Sequence, residues 1–486
     1  MDFRRGGWLA ALWLAGAGAA GASAQLTPEC LDDRSQILVA DPDGRGALNI
    51  EYYEWQPAVM PFDRSTALPM TLIVRITGGA TSARLTLSSG GGTISLNDLG
   101  QAPDVTAGDQ LFTGSVPVQS ILDRNTPERV NRPIMGQVQG LEAGIPTGPL
   151  VNVLASVMPA EARSIAVTTI SATARRTPWV LNIRDDNYVN DNGRERVVGA
   201  AYAHVPDRYE FVHIVNAPRS LIANRFHGRI RNSVSGIGIN SFDTGASYGS
   251  PAALIGFSVF PNLSFYDMHG PGVLHETGHQ WINGLTGVFG DPRNGAHWPI
   301  SSLANHVMGF SLAGGPGGTL NCQLSSNGST LTTQATSSST YFNSWELYLM
   351  GLTPTVPNAF TVTDQTAALN LVNQPNWCNG STYNLPTTQL SQTLLTNTFG
   401  QRSPSFAISR KYFHVLTLVV SNGRTLGDDE LRYISLMTAR AQNRGVRPWA
   451  EGLVGSNGPN FFEATAGRGT LDFRLDGTFA GGFEGN

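Results

Sequence analysis

The sequence predicts a multidomain protein, an all-β sandwich over residues 25–180 followed by an α+β half over 181–480, and three observations carry that prediction. Charged residues make up only 14% of the chain while glycine numbers 55, a balance that favours short strands and many turns over long helices. The runs MTLIVRI (70–76), ARLTLSS (83–89), LFTGSVPV (111–118), VNVLASVM (151–158) and SIAVTTISA (164–172) alternate or cluster β-branched residues between turn formers, the pattern of strands. Helical patterns gather later, at NSWELYLMGL (343–352), from Ser405 to Val420 and from Asp428 to Asn443.

Ahead of the sandwich, Arg4 and Arg5 precede an apolar run from Trp8 to Ala20 and the small residues Ala22-Ser23-Ala24. That order of charge, apolar stretch and small residues predicts a secretory signal peptide over residues 1–24, too short in its apolar part to span a bilayer. No later segment supplies the roughly 18 uncharged apolar residues of a membrane helix. The expected location is therefore secreted, extracellular or periplasmic, with no membrane contact after cleavage near Ala24. With 32 basic against 36 acidic residues the net charge is −4, and no basic run tracks a phosphate backbone, which argues against a nucleic-acid partner. Of the three cysteines, Cys322 and Cys378 sit in turn-rich stretches flanking a helix signal. Their pairing is the preferred disulfide, leaving Cys30 over, with a pairing to Cys30 as the alternative.

Within the first half, LNDLGQAPDVTAGDQLFTGSVPV (96–118) resembles the acidic, glycine-rich turn and following strand of bacterial immunoglobulin-like modules, a likeness that covers one hairpin. The sandwich is expected to be of that type. PWVLNIRDDNYVNDNG (178–193) is dense in Asp and Asn and marks the boundary. Its oxygens suit calcium, but the spacing is not that of an EF-hand loop, so a turn-forming linker is the reading preferred over a calcium site. YEFVHIVNA (209–217) then reads as a strand, PRSLIANRF as a short helix or loop, and SVSGIGIN (233–240) as a second strand.

The chemistry concentrates in VLHETGHQWING (273–284). Pro271 suits a first helical position and Gly284 the place past a helix end, so a helix from Pro271 to Asn283 fits both stops. Four residues apart, His275 and His279 lie on one helical face and reach a single ion, while Glu276 stands beside that ion without ligating it. Neutral imidazoles bind zinc at about 2.0–2.1 Å, and a neighbouring carboxylate accepts the proton of an acidified water. Five of the nine histidines, His269, His275, His279, His297 and His306, fall close together. The motif resembles the HExxH helix of the zincin metallopeptidases. That resemblance implies an α+β zincin-like catalytic domain, one zinc held by His275 and His279, and Glu276 as general base in the hydrolysis of protein or peptide substrates.

A catalytic zinc takes three protein ligands. In the metzincin branch of the family the third is a histidine after a glycine-containing stretch, with a methionine turn beneath; His297 and Met308 match those parts. The departure is that the compact family spacing would put glycine at Ile282 and histidine at Leu285. In the gluzincin branch the third ligand is a glutamate on a second helix, and Glu346 matches it, although Asn343 and Glu346 are also spaced as a helix capping pair. Asp291 and His306 are further choices, and His306 is otherwise a group to polarise or orient the substrate. Trp281, Trp298 and Trp345 are expected in the core rather than as cleft walls, and His204, His213, His227 and His414 as structural. A secreted zinc endopeptidase is the leading reading. The alternative is a non-catalytic exported adhesion or carbohydrate-binding protein on a zincin-like scaffold.

Overall fold

The structure, a computed structural model, describes residues 48–60, 69–87, 92–116, 134–157, 160–188, 193–221, 225–261, 271–282, 284–285, 297–309, 321–442 and 459–475. The signal segment, Cys30, His269 and Asp291 lie outside the described residues. Strand formation is clearest where burial follows the side-chain period of two: along MTLIVRIT, Met70, Leu72, Val74 and Ile76 are buried and the residues between them are not fully so, as a half-covered sheet requires. Strands β1 (Asn49–Gln56), β2 (Val59–Met60), β3 (Met70–Thr77), β4 (Ser82–Leu87), β5 (Thr93–Leu96), β6 (Leu111–Val116), β7 (Ile134–Glu142), β8 (Ile145–Pro146) and β9 (Val151–Val157) form two sheets. One has the order β1-β3-β6, the other β2-β9-β7-β4-β5 with β8 on β7. Trp55, Leu72 and Ile76 of the first and Leu85, Leu96 and Val138 of the second share one apolar core.

The chain continues through β10 (Thr168–Thr169), β11 (Ala174–Arg176), β12 (Val180–Arg184), α1 (Arg194–Tyr202), β13 (Phe211–Asn216), β14 (Ser220–Leu221) and β15 (Phe226–Arg229). Next come β16 (Arg231–Asn232), β17 (Phe242–Asp243), β18 (Gly256–Pro261) and α2 (Pro271–Gly278). β19 (Cys322–Ser326), β20 (Leu331–Ala335), α3 (Ser344–Met350), β21 (Ala359–Val362), α4 (Gln365–Val372), β22 (Thr382–Tyr383) and β23 (Thr387–Leu390) follow. The last are α5 (Gln392–Phe399), β24 (Tyr412–Ser421), α6 (Asp428–Gln442), α7 (Phe461–Ala464) and β25 (Thr470–Asp472).

An eight-stranded sheet in the order β10-β11-β12-β24-β13-β18-β15, with β25 beside β24, positions the site. Its centre, β12, β24, β13 and β18, is parallel, and β15 closes one edge antiparallel to β18. Parallel strands are covered on both faces, and every residue of FVHIVN in β13 is buried. Phe211, Val215 and Val419 face Val273 and Leu274 of α2 and Ile434 of α6. Val212, Ile214 and Leu418 face Val197 and Ala201 of α1. β10 and β11 precede residue 180 yet belong to this sheet, and β14 pairs back onto Tyr52 and Tyr53 of β1.

These sheets correct the expected fold class. Strands hold 34% of the described residues and helices 20%, spread over several sheets of which the largest is mixed. That is not an immunoglobulin-like sandwich followed by an α+β zincin-like domain. One misreading accounts for part of the difference. The stretch 405–420, expected helical, contributes β24 from Tyr412 onwards, because a doubly covered parallel strand is continuously apolar and lacks the alternation that separates strand from helix. The polar segment around 322–335 pairs β19 with β20 antiparallel, from Cys322 opposite Ala335 to Ser326 opposite Leu331. SVSGIGIN makes only an isolated bridge, Ser235 to Ser403. Cys322 and Cys378 form a disulfide across 56 residues, with Cα atoms 6.0 Å apart; closing a loop of that length stabilises by about 4 kcal/mol on chain-entropy grounds. No helix among the described residues is long and apolar enough to cross a membrane.

Candidate metal centre

Pro271 opens α2 and Gly278 closes it, one turn earlier than the flanking stop residues predict. The chain then runs on in turns, with Ile282 N–H bonded to Gly278 O. Helix ends leave carbonyls without partners. Here Arg229 of β15 supplies them, its Nε donating to His279 O at 2.7 Å and Nη2 to Ile282 O at 2.9 Å. Gln280 ties the same end to the sheet, donating to Arg231 O and meeting His227 Nε2 at 3.0 Å. The cost of a glycine at 278 has a local reason: a Cβ there would collide with Met308 Sδ, so the buried Met308 packs directly beneath the motif.

Three imidazoles converge. His279 Nε2 lies 3.1 Å from His275 Nε2, and His297 Nε2 lies 2.9 Å from the same atom. His275 Nδ1 faces Val307 O at 2.8 Å; a carbonyl only accepts, so that nitrogen carries the hydrogen and Nε2 presents a lone pair. One lone pair cannot take straight hydrogen bonds from two neighbours, whereas a cation at the common focus uses all three nitrogens. Two nitrogens on a tetrahedral zinc with bonds of about 2.0–2.1 Å stand about 3.3 Å apart, close to the spacings seen. Burial drives all three rings towards the neutral form that a metal needs, with neighbouring charge adding to it; His275 and His279 are held well below the usual histidine range and His297 is pushed down to about 4. His279 is buried, while His275 and His297 are half-buried and leave the cluster an approach.

Glu276 is almost fully buried, and Arg225 Nε donates to its Oε1 at 3.0 Å. The same guanidinium acts electrostatically on both His275 and His297, so it lies at the cluster. No sequence motif marks Arg225. It sits in IANRF just before β15, and nothing local ties it to a motif 51 residues on.

Glu346 is elsewhere: its carboxylate accepts from Trp298, Met308 and Asn343 and does not join the three rings. Burial pushes its carboxyl up to about 7 against those bonds. His306 is half-buried, with Nδ1 3.4 Å from Tyr341 O and its pKa lowered by burial. It makes no ring contact with the cluster among the described residues. Trp281 stacks edge-on with Phe211 and packs with Phe413, and Trp345 donates to Pro357 O. Both are core residues, as is the fully buried Trp298.

No known protein family, characterised protein or solved structure matches the chain. The chemistry must therefore be read from the side chains themselves.

A second group with metal-ligand atoms in reach of one another, Asp98, Asp104 and Asp109, was not singled out from sequence. Its carboxylates accept backbone N–H groups: Asp98 from Gly108, Asp109 and Gln110, Asp104 from Gly100, and Asp109 from Leu111. In the 178–193 stretch, Asp185 pairs with Arg196, and Asp186 with Arg184 and Gly423 N. His204 is exposed after α1, and His414 stands by Glu210.

Proposed function

We propose that the chain is an exported zinc-dependent hydrolase of peptide bonds, with His275, His279 and His297 as the metal ligands and Glu276 as the general base. The observation that carries this reading is the focus of three imidazole nitrogens, with His297 Nε2 at 2.9 Å and His279 Nε2 at 3.1 Å from His275 Nε2 and all three within 4.8 Å of one another. Bound there, zinc would polarise a carbonyl oxygen and acidify water towards a pKa of about 7. The protein's own groups do the rest. Val307 O fixes the His275 tautomer and ring orientation, as groups behind a ligand do. Glu276 takes the proton of the attacking water and passes it to the amine nitrogen as the C–N bond breaks. Arg225 holds the Glu276 carboxylate in one orientation through Nε. The signal segment and the Cys322–Cys378 bridge support an oxidising, exported setting.

The test is metal content and proteolysis on the same preparations. Wild-type protein should carry about one zinc per chain and cleave casein or a peptide library. Glu276→Gln should keep the zinc and lose about 10²–10⁴-fold of the cleavage rate. A metal-free wild type, or full cleavage by Glu276→Gln, overturns the proposal. Zinc without any cleavage by the wild type would favour the non-catalytic binding protein instead.

A further inference from the structure

The loop that carries His297 has little regular structure of its own, only turns and a bridge at Ser301. Its two ends nevertheless meet, Trp298 N–H donating to Met308 O at 3.0 Å. Glu346 grips both ends with one atom: Oε1 accepts from Trp298 Nε1 and from Met308 N, each at 2.9 Å. Its Oε2 serves α3 instead, accepting from Asn343 N at 2.8 Å while Asn343 Oδ1 accepts from Glu346 N. Three features of the histidine cluster hang on those loop ends. His297 precedes Trp298, the Val307 carbonyl that orients His275 precedes Met308, and Met308 itself packs beneath Gly278.

A glutamine at the third position would serve a capping box as well as glutamate does. Here N–H groups arrive at both carboxyl oxygens, and glutamine would have to turn its NH₂ towards one set of them. The acidic side chain, wholly buried, is thus required because loop and helix draw on its two oxygens at once.

We propose that Glu346 is a positioning residue for the histidine cluster, clamping both ends of the 297–309 loop so that His297 and the Val307 carbonyl meet the imidazoles of α2. This rests on the metal-binding reading above. It also gives Glu346 a part in the proposed metal site that is not ligation.

The experiment uses the full chain stripped of metal, titrated with cobalt(II) for its visible spectrum and with zinc against a chromophoric chelator. Glu346→Gln should weaken zinc binding about 10–100-fold, as loss of a group behind a ligand does, and should change the cobalt spectrum. Asn343→Ala removes the cap to Glu346 N but leaves both loop bonds. It should lower Tm while leaving affinity and spectrum at wild-type values. Trp298→Phe, which deletes one of the two N–H donors and keeps an aromatic ring, should shift both in the direction of Glu346→Gln by less, and decides the matter if Glu346→Gln does not fold. Wild-type affinity and spectrum in Glu346→Gln, or equal changes in Asn343→Ala, overturn the positioning role alone. A wild type that takes up neither metal overturns the metal reading and this role with it.

Discussion

Two clusters bring three metal-capable side chains within 4.8 Å of one another, His275 with His279 and His297, and Asp98 with Asp104 and Asp109. They are built in opposite ways. The aspartates spend their oxygens on the backbone of the turn that carries them: Asp98 alone accepts from three N–H groups over residues 108–110. They are stitches, of the kind Asp residues make in loops. The histidines come from a helix and a distant loop, the outer nitrogen of His275 is bonded to Val307 O, and the Nε2 atoms of His279 and His297 lie against that of His275. Proximity is common to both clusters. What separates them is whether the donor atoms are already satisfied.

The largest effect should come from breaking that contrast at its centre. His275→Ala should reduce bound zinc from about one per chain to almost none by metal analysis, whereas Asp98→Asn should leave metal content unchanged; equal loss in both would erase the distinction.

His213 sharpens the comparison from another side. It is buried on β13 between Phe260 and Phe473, with neither ring nitrogen bonded among the described residues. Burial pushes it down to about 3, against about 6.5 in an unfolded chain. Below the unfolded value the unfolded chain binds a proton that the folded one refuses. Stability is therefore full above about pH 6.5 and is lost as the pH falls towards 3, by up to about 1.4 kcal/mol per pH unit. Urea unfolding of His213→Leu across that range should show an acid limb shallower by about one proton; an unchanged slope would mean that His213 titrates normally in the folded state.

A smaller effect is expected at Gly278. Alanine there would overpack against Met308 at a cost of about 1–3 kcal/mol, partly offset by up to about 1 kcal/mol of helix propensity. Tm should fall by a few degrees. The same change in a Met308→Ala background should cost less, because the two sites share one contact; an identical cost would separate Gly278 from Met308.

Much of the site could be read from VLHETGHQWING because an i, i+4 pair is a local geometric fact: the helix alone puts His275 and His279 on one face. Trp298, Met308 and Glu346 were visible as residues but not as a unit. Glu346 carries two sequence meanings, cap and ligand, and spacing cannot choose between them. Arg225 was not visible at all, since a single arginine before a short strand has no periodicity to mark it. The fold was legible where one sheet face is exposed, as in Met70–Thr77, and misread where both faces are covered, as in Tyr412–Ser421.

The sequence by itself determined the local quantities: the α2 segment, its paired histidines and adjacent carboxylate, and the capping pair at Asn343 and Glu346. Tertiary structure alone decided which third residue meets the pair, that Glu346 holds the loop while Arg225 holds Glu276, and that one aspartate cluster is spent on its own backbone. The physical reason is range. Helical phase and capping act over three or four residues, whereas the nitrogen of His297 is brought to His275 only by the packing of a sheet, a helix and a loop closed on a buried carboxylate.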